Sequence, residues 1–351
     1  RENNAFPNRR ELLARAEGGL TRPELSILMA ESKLALKRAL LDAPGFLEAE
    51  WIKAFLVAYF PSSLRADDAA RIDAHPLARE IAATVICNRI IDQAGARFLL
   101  FGDPLAPTLL TDAVGLYLAF DEILGGERWR SAVRSLDGRM IAARQYEYLL
   151  QLEDALAYLC RWALQGGRRL QPQTREVADW RAYLEKYLAY FSQSAEASIL
   201  DANAPEASRE MFLNRLRDFP FLVALAEQGG KDIAVAARFF DEVGGGLGVR
   251  QIAALASELT ARDAWEGKLQ TAVEERLRAA TARIAAVALR AGVEEPAAIF
   301  RLADLAPKLT ELRKLRAEII ESAPKTVAPF ALFASELDAL VEACNSARRA
   351  A

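Results

Sequence analysis

The sequence has little of the material from which most active sites are built. It contains a single histidine, His75, and three cysteines, Cys87, Cys160 and Cys344, spread over 351 residues. A paired-histidine metal site or a Ser-His-Asp set therefore cannot readily be assembled, although His75 could serve as a lone base. We expect His75 to lie just outside a helix that Pro76 opens. We expect the cysteines to be reduced thiols packed as small hydrophobic side chains, as in a reducing compartment.

Charge and hydropathy give no sign of a nucleic-acid or membrane partner. Lys+Arg 45 against Asp+Glu 48 leave a net charge of -3, so there is no basic surplus of the kind that binds phosphate backbones. No hydrophobic run reaches the ~18 residues of a membrane span, and no signal peptide precedes the first helix. We therefore expect no nucleic-acid partner, no membrane partner and a cytoplasmic location.

Helical patterns fill the sequence instead. Hydrophobic residues make up 52% of the chain, alanine and leucine dominate them, and β-branched residues are comparatively few, which favours helix over strand. The sequence predicts an all-α fold, a helical bundle or array with short glycine and proline connections. We divide it into a connector from a preceding region at 1–18, a helical subdomain at 19–170, a linker plus helix at 171–208, and a second helical subdomain with tail helices at 209–351.

The clearest helix lies in GLTRPELSILMAESKLALKRALL, from Gly19 to Leu41. Thr21 is placed to cap it, Glu24 completes a capping box, and Pro23 lies in the first turn, where a missing N–H is tolerated. An apolar stripe follows at helical spacing and is predicted to be buried. The stripe consists of Leu25, Leu28, Met29, Ser32, Leu36, Ala39 and Leu40.

Two further patterns invite a functional interpretation. The run Gly244–Gly248 resembles a dinucleotide-binding loop, but a predicted helix rather than a strand precedes it. It is therefore predicted to end that helix. The acidic pairs Glu153-Asp154 and Glu274-Glu275 lie on helices whose other faces are apolar, and they are predicted to be exposed.

An internal echo links the two halves of the chain. The segment Phe120–Gly125 recurs as Phe240–Gly245, and Leu152–Leu156 is echoed by Val273–Leu277, at offsets of 120 and 121 residues. A near-constant offset over two helices favours a diverged internal duplication. Amphipathic helices also resemble each other by chance, so the similarity alone leaves both explanations open.

The segment from Gly19 to Leu41 resembles the segment that follows the catalytic core in the large, NAD-specific glutamate dehydrogenases of bacteria. Tyr59-Phe60-Pro61, His75–Ile81 and Asn88-Arg89-Ile90 agree in order and spacing. The resemblance is strongest from Gly19 to Gly95, weaker to Leu164 and patchy beyond. The catalytic lysine, the glutamate pocket and the dinucleotide-binding domain of that family precede this segment.

The resemblance implies a carboxy-terminal, non-catalytic portion of such an enzyme, and a chain beginning at Arg1 fits a fragment. It implies no cofactor in this fragment, NAD in the full-length enzyme, and a homo-oligomer. The alternative is an independent helical scaffold or adaptor protein without enzymatic activity.

Five polar residues lie within the stretches that carry the resemblance: Arg22, Arg79, Glu80, Asn88 and Arg89. We predict that they dock this helical part onto the catalytic domains of the same polypeptide. Asn88 is further predicted to lie on the core face of its helix, together with the large aliphatic residues before it, where a buried amide would need hydrogen-bond partners. Local capping and internal salt bridges could explain the same residues.

Overall fold

A computed structural model describes residues 6–15, 18–65, 69–100, 107–190, 206–301, 303–323 and 326–350. Regular structure in these ranges is helical, and no strand occurs among them, so the prediction of an all-α fold is confirmed. The chain divides into two compact units: unit 1 ends at Arg181 and unit 2 begins at Ala182. This division lies within the segment 171–208, whose residues 191–205 are outside the described ranges.

Unit 1 alternates short and long helices. They are α1 Arg9–Ala14, α2 Arg22–Asp42, α3 Glu50–Tyr59, α4 Ser62–Arg65, α5 Ala69–Asp73, α6 Ala78–Ala94, α7 Pro107–Leu124, α8 Gly126–Arg134, α9 Ala142–Gln165 and the start of α10 Arg175–Tyr190. Single 3-10 turns occupy Phe46–Glu48 and Ala96–Leu100. The helical pattern of the sequence predicts a long helix from Ala142 to Gln165, and α9 has these bounds. As predicted, His75 precedes a helix: its Nδ1 accepts the N–H of Leu77, 3.1 Å away.

The core of unit 1 forms where α2, α3 and α6 pack together and where α7 packs on α2 and α9. Tyr117, Phe120, Tyr148 and Trp180 lie at its centre, each no more than 1% exposed. Burying a large apolar side chain of this kind stabilises the fold by roughly 1.5–3 kcal/mol. This packing fixes the faces of α7, α8 and α9 that meet at the charged cluster described below.

The stripe predicted for α2 is buried only over its second half. Ser32, Leu36 and Leu40 are buried, but Leu25 is 45% exposed and Leu28 is half-buried. The prediction of a fully buried stripe is therefore wrong for the first turns of the helix. The neighbours of α2 in unit 1 are α6, α7 and the 3-10 turn Ala96–Leu100, and they leave those turns uncovered.

The buried face of α6 also differs from the one predicted. Its core side is formed by small and β-branched residues: Ala78, Ala82, Ala83, Ile86, Cys87, Ile90, Ile91 and Ala94. Leu77 is 55% exposed, Ile81 and Val85 are half-buried, and Asn88 is exposed. The prediction that Asn88 lies in the core is therefore wrong. Small side chains allow α6 to approach α2 and α3 closely, whereas the prediction followed the larger aliphatic residues.

Unit 2 is arranged around one long helix. Its helices are the remainder of α10, α11 Glu206–Gly229, α12 Ile233–Leu247, α13 Val249–Ser257, α14 Ala264–Arg290, α15 Ala306–Ser322 and α16 Ala328–Ala350. Two 3-10 segments, Pro296–Arg301 and Ala303–Leu305, precede α15. Helix α14 packs against α11, α12, α13 and α16, and Phe219, Phe330 and Phe333 are fully buried around it.

Two helix boundaries in unit 2 differ from the prediction. The sequence pattern predicts separate helices at 209–216 and 219–228, but these residues form the single helix α11, which contains Pro220. Proline inside a helix removes one hydrogen bond and crowds the carbonyl four residues before it. The buried side chains of Phe219 and Leu222 hold this part of α11 in the core despite that cost. Within the run Gly244–Gly248, the first three glycines are helical, and Gly248 alone ends α12, in the left-handed conformation at φ 72°.

The two halves share an order of elements. In each, a left-handed glycine, Gly125 or Gly248, precedes a nine-residue helix, α8 or α13, and a long helix follows. The offset between these glycines is 123 residues (248 minus 125). The segments Phe120–Gly125 and Phe240–Gly245 are instead separated by 120 residues. The internal duplication therefore stays a prediction.

None of the helices in the described ranges has both the length and the apolar composition that crossing a bilayer would require. The three cysteines are free and buried, as predicted. Burial raises the pKa of the Cys87 thiol to about 12 and that of Cys344 to about 11. Thiols with such values are protonated at neutral pH and behave as small packing groups.

Candidate functional site

The first turn of α2 is held by a local hydrogen-bond network. The backbone N–H of Thr21 donates to the Glu24 carboxylate at 2.8 Å, which confirms the predicted capping box. Arg15 donates to the same carboxylate at 2.8 Å. The hydrogen bonds from Arg15 and Thr21 lower the pKa of Glu24 from 4.5 to about 2. Beside this ordered cap, Arg22 and Leu25 are exposed, so α2 presents a cation and a leucine to its surroundings.

Arg79 links two helices of unit 1. Its Nε donates to the carbonyl of Leu41 at 3.2 Å, and its Nη2 donates to the carbonyl of Ala43 at 2.8 Å. Its guanidinium also lies 5.8 Å from the centre of the Phe46 ring. These are carbonyls that a helix end leaves without helical partners. Arg79 therefore ties the start of α6 to the carboxy-terminal end of α2.

Arg89 lies at the edge of a charged cluster. Its Nη2 donates to Asp121 at 3.3 Å, and its guanidinium lies 5.5 Å from the centre of the Phe55 ring. Its side chain is 40% exposed. Glu80, on the same helix, is half-buried, and Asn88 is exposed. Arg79 and Arg89 thus make contacts within unit 1, and the docking role of the five predicted residues stays a prediction.

Behind Arg89 lies a buried cluster that the sequence analysis did not find. Arg130 of α8 donates to Asp121 of α7 at 2.7 Å and to Glu153 of α9 at 2.8 Å. The Tyr117 hydroxyl donates to Glu153 at 2.9 Å. The side chains of Asp121, Glu153 and Arg130 are 3%, 6% and 7% exposed. One guanidinium therefore joins three helices in a place that water hardly reaches.

The charges of this cluster balance only when Arg89 is counted. Asp121 and Glu153 carry two negative charges against the one positive charge of Arg130, and Arg89 supplies the second cation from the surface. Burial lowers the pKa of Arg130, but Asp121, Tyr117 and Glu153 outweigh it and leave that pKa above its ordinary value. Burial also raises the pKa of Tyr117, and Glu153 raises it further. The guanidinium therefore stays charged and the phenol stays protonated, as a donor.

The prediction that both acidic pairs are exposed is wrong. Glu153 is buried, and Glu274 and Glu275 are half-buried; Asp154 is exposed. Glu153 and Glu274 each have a cation on a neighbouring helix, Arg130 and Arg217 respectively, which allows them to turn inward. In the sequence, Asp121 and Arg130 are nine residues apart and lie on either side of the glycine break between α7 and α8.

A small cavity of about 250 Å³ borders the exposed side of this cluster, and its wall includes Phe55, Arg89, Asp121 and Gly126. A Cβ atom at Gly126 would lie 1.9 Å from Oδ1 of Asp121 and 2.9 Å from Nη1 of Arg130. Glycine at this position is therefore what allows the ion pair to lie directly against the backbone of α8.

The arrangement has the character of a structural brace. Arg130 donates to both carboxylates of the cluster, and the Tyr117 hydroxyl donates to Glu153. In the described ranges, no group of three or more His, Cys, Asp or Glu side chains is placed to hold a metal ion. Fold and site together define an all-α domain in which a buried arginine–carboxylate cluster joins three helices.

Comparison with known proteins gives this domain a family. Residues 17–339 match the family described as "Glutamate dehydrogenase, C-terminal", and the chain belongs to that family. The resemblance predicted from the first hundred residues is thereby confirmed, and it extends over most of the chain.

Relatives with curated descriptions agree with this assignment. The chain is 27% identical over 295 residues to an NAD-specific glutamate dehydrogenase of Mycobacterium tuberculosis, covering 78% of this chain and 18% of the relative. It is 28% identical over 287 residues to that of Halomonas elongata, covering 76% and 17%, and 23% identical over 287 residues to that of Pseudomonas aeruginosa, covering 78% and 18%. The chain therefore spans less than a fifth of the length of these relatives.

Proposed function

We propose that this chain is the non-catalytic, carboxy-terminal helical domain of a large NAD-dependent glutamate dehydrogenase. The full enzyme would convert L-glutamate, NAD and water into 2-oxoglutarate, ammonia and NADH. The observation that carries the proposal is the family match over residues 17–339, together with relatives that are NAD-specific glutamate dehydrogenases about five times as long. The buried, free cysteines support a cytoplasmic enzyme.

The domain would pack against the catalytic domains of the same polypeptide. It would also contribute contacts that hold a homo-oligomer together. The first half of α2 is the surface that best supports docking. Arg22 and Leu25 are exposed there, Leu28 is half-buried, and the cap at Glu24 fixes the helix end before any partner arrives. The apolar stripe of α2 is buried in its second half and extends to the surface in its first half. Exposed apolar surface of this kind is often covered by another domain.

NAD would bind outside this chain. A dinucleotide-binding glycine loop needs a preceding strand and a helix that starts at the phosphates. The candidate glycines Gly244–Gly246 lie inside α12, so their N–H groups are used within the helix. Their position supports a cofactor-free domain.

The proposal can be tested with the longer polypeptide that carries the catalytic region. We expect glutamate-dependent NADH formation from the whole polypeptide, and loss of that activity or of its oligomeric state when residues 1–351 are removed. The 351-residue chain alone should give no NADH and no heat of binding with NAD. Glutamate turnover by the chain alone, or micromolar NAD binding to it, would contradict the proposal. Undiminished activity and assembly after removal would contradict the packing role.

A further inference from the structure

A second cavity, of about 470 Å³, lies in unit 2 among α11, α12, α13 and α14. Helix α13 contributes positions 250, 253, 254 and 257 to its wall, and α14 contributes positions 274, 277, 278 and 281. These spacings define one side of a helix. The volume falls within the range of roughly 300–1,000 Å³ that is typical of small-molecule sites. The space is therefore large enough for an organic ligand.

The charges on this wall are already matched. Three arginines are accompanied by three carboxylates, and one of the arginines, Arg250, also pairs with Asp241. Arg278 donates through Nε to Asp218 at 3.0 Å, and its Nη1 lies 3.6 Å from Glu274. A charged ligand would have to break one of these pairs or enter without a counter-charge, and either event costs free energy. The wall therefore favours a ligand without net charge.

One polar side chain on the wall is not engaged by the protein. Asn214 of α11 is half-buried, and its amide makes no hydrogen bond to another residue within the part of the chain that the structure describes. A primary amide presents an acceptor oxygen beside a donor nitrogen. A neutral ligand group that also carries an acceptor beside a donor can form two parallel hydrogen bonds with it. Carboxamides and lactams are groups of this kind.

Apolar surface forms another part of the cavity. Phe240 and Leu277, which are at most 6% exposed, contribute to the wall together with the small side chain of Ala253. The side chain of Arg250 is 58% exposed. A guanidinium that pairs with a carboxylate uses its edge, so its planar face stays available to an aromatic ring. The cavity thus suits a flat, apolar ring.

We propose that this cavity binds a small uncharged aromatic amide, whose amide group bonds to Asn214 and whose ring packs on Phe240 and Leu277. Removal of the ring from water supplies affinity. The two hydrogen bonds to Asn214 fix the orientation of the ligand. The site lies outside the dehydrogenase chemistry of the proposed function and does not depend on it.

The test uses three probes of matched shape that differ in charge: neutral benzamide, anionic benzoate and cationic benzamidine. The 351-residue chain carries isotope-labelled methyl groups and is titrated with each probe by NMR. We expect benzamide to bind with a dissociation constant of about 10 mM or below, as suits a ligand of this size. It should shift the methyl signals of Ala253, Leu277 and Thr281. Benzoate and benzamidine should bind at least about tenfold more weakly, because each brings an uncompensated charge.

Variants identify the groups that hold the ligand. Asn214→Leu should weaken benzamide binding by about threefold or more, the usual value of a hydrogen bond. Ala253→Leu should fill the cavity and abolish binding without changing any charge. Gln251→Leu is the matched control, since it removes the same kind of amide from an exposed residue of α13 that is not on the wall. It should leave binding unchanged. A melting curve for each variant shows that it is folded.

Four results would overturn the proposal. The first is no benzamide binding at about 50 mM, and the second is equal binding of the three probes. The third is binding that leaves the methyl signals of Ala253 and Leu277 unmoved, a readout that needs no variant. The fourth is unchanged binding in folded Asn214→Leu and Ala253→Leu variants. None of these readouts needs dehydrogenase activity, so the proposal can fail while the assignment to a glutamate dehydrogenase stands, and the reverse also holds.

Discussion

The charged clusters of the two units are built from the same residue types but differ in how far their side chains are exposed. In unit 1, the carboxylates of Asp121 and Glu153 close around Arg130, each side chain at most 7% exposed, and the adjoining cavity is about 250 Å³. In unit 2, the side chains of the pair Arg278–Asp218 are 10% and 16% exposed, and the pair borders a cavity of about 470 Å³. Charges enclosed in the core have to be paired there, whereas charges that border an open space keep part of their hydration.

Two ion pairs with the same sequence spacing can also differ in how much they stabilise the fold. Asp121–Arg130 and Asp241–Arg250 are both ion pairs nine residues apart that bridge a glycine break. Arg130 is 7% exposed and Arg250 is 58% exposed. Sequence separation sets which groups can meet, but burial decides how much their loss would cost.

The largest expected difference follows from removing these two arginines. Arg130→Met would leave two buried carboxylates without their cation and should destabilise the chain by about 3–5 kcal/mol. Arg250→Met, the matched control in unit 2, should cost no more than about 1 kcal/mol because the pair is largely solvated. Urea unfolding followed by circular dichroism measures both. Equal losses would show that the two pairs do not differ as their burial suggests.

A smaller contrast comes from two glycines. Gly126→Ala would push a methyl group into the Asp121 carboxylate, which its arginine partners hold in place, and should cost about 1–3 kcal/mol. Gly245→Ala adds a methyl group inside α12 with no atom within 4 Å, and should stabilise by about 0.5–1 kcal/mol through helix propensity. Thermal melts should show a lower melting temperature for Gly126→Ala and a higher one for Gly245→Ala. A neutral Gly126→Ala would mean that the ion pair adjusts freely.

Two carboxylates should titrate with opposite effects on stability. Burial raises the pKa of Asp218 above 3.8, so its contribution is full at low pH and is lost as the pH rises through its folded value. The hydrogen bond from Arg15 lowers the pKa of Glu24 from 4.5 to about 2, so its contribution is present above about pH 4.5 and is lost as the pH falls towards 2.

Unfolding free energies between about pH 3 and pH 7 check these signs. The stability lost in Asp218→Asn should shrink as the pH rises, and the loss in Glu24→Gln should shrink as the pH falls. Parallel pH profiles for the two variants would contradict the assigned directions.

The smallest effect on the isolated chain is expected for Arg22→Ala. Arg22 is exposed, and Thr21 and Glu24 still form the cap without it. The free energy of unfolding should therefore change by less than about 0.5 kcal/mol. In the full enzyme the same variant should reduce activity or assembly if α2 docks as proposed. Destabilisation of the isolated chain comparable to that of a core substitution would show that the partner of Arg22 is internal.

Local patterns predicted many of the helices because capping residues, glycines and hydrophobic periodicity depend on neighbouring residues alone. The capping box at Thr21 and Glu24 and the bounds Ala142–Gln165 of α9 needed only neighbouring residues. The buried face of α6 depended on which helices pack against it, and the sequence does not state those partners. Small residues such as Ala82 and Ala83 formed that face, although they carry little hydrophobic signal.

The family was accessible from the sequence, but the charged sites were not. Motifs in the first hundred residues pointed to the family that the chain belongs to. Glu153 and Arg278 were missed because a buried charge is recognisable only with its partner, and each partner lies on another helix. Ion pairs between different helices depend on the tertiary structure and produce no periodic pattern in the sequence.

The three glycines inside α12 make its last turn the least secure part of that helix. Each glycine costs a helix interior roughly 0.5–1 kcal/mol relative to alanine. A Cβ at Gly246 would lie 2.9 Å from the Phe300 ring, so glycine allows this close contact. The tight packing that glycine allows is thus obtained at the expense of local order. Amides near Leu247 should consequently exchange with solvent by opening of this turn alone, well below the free energy of global unfolding.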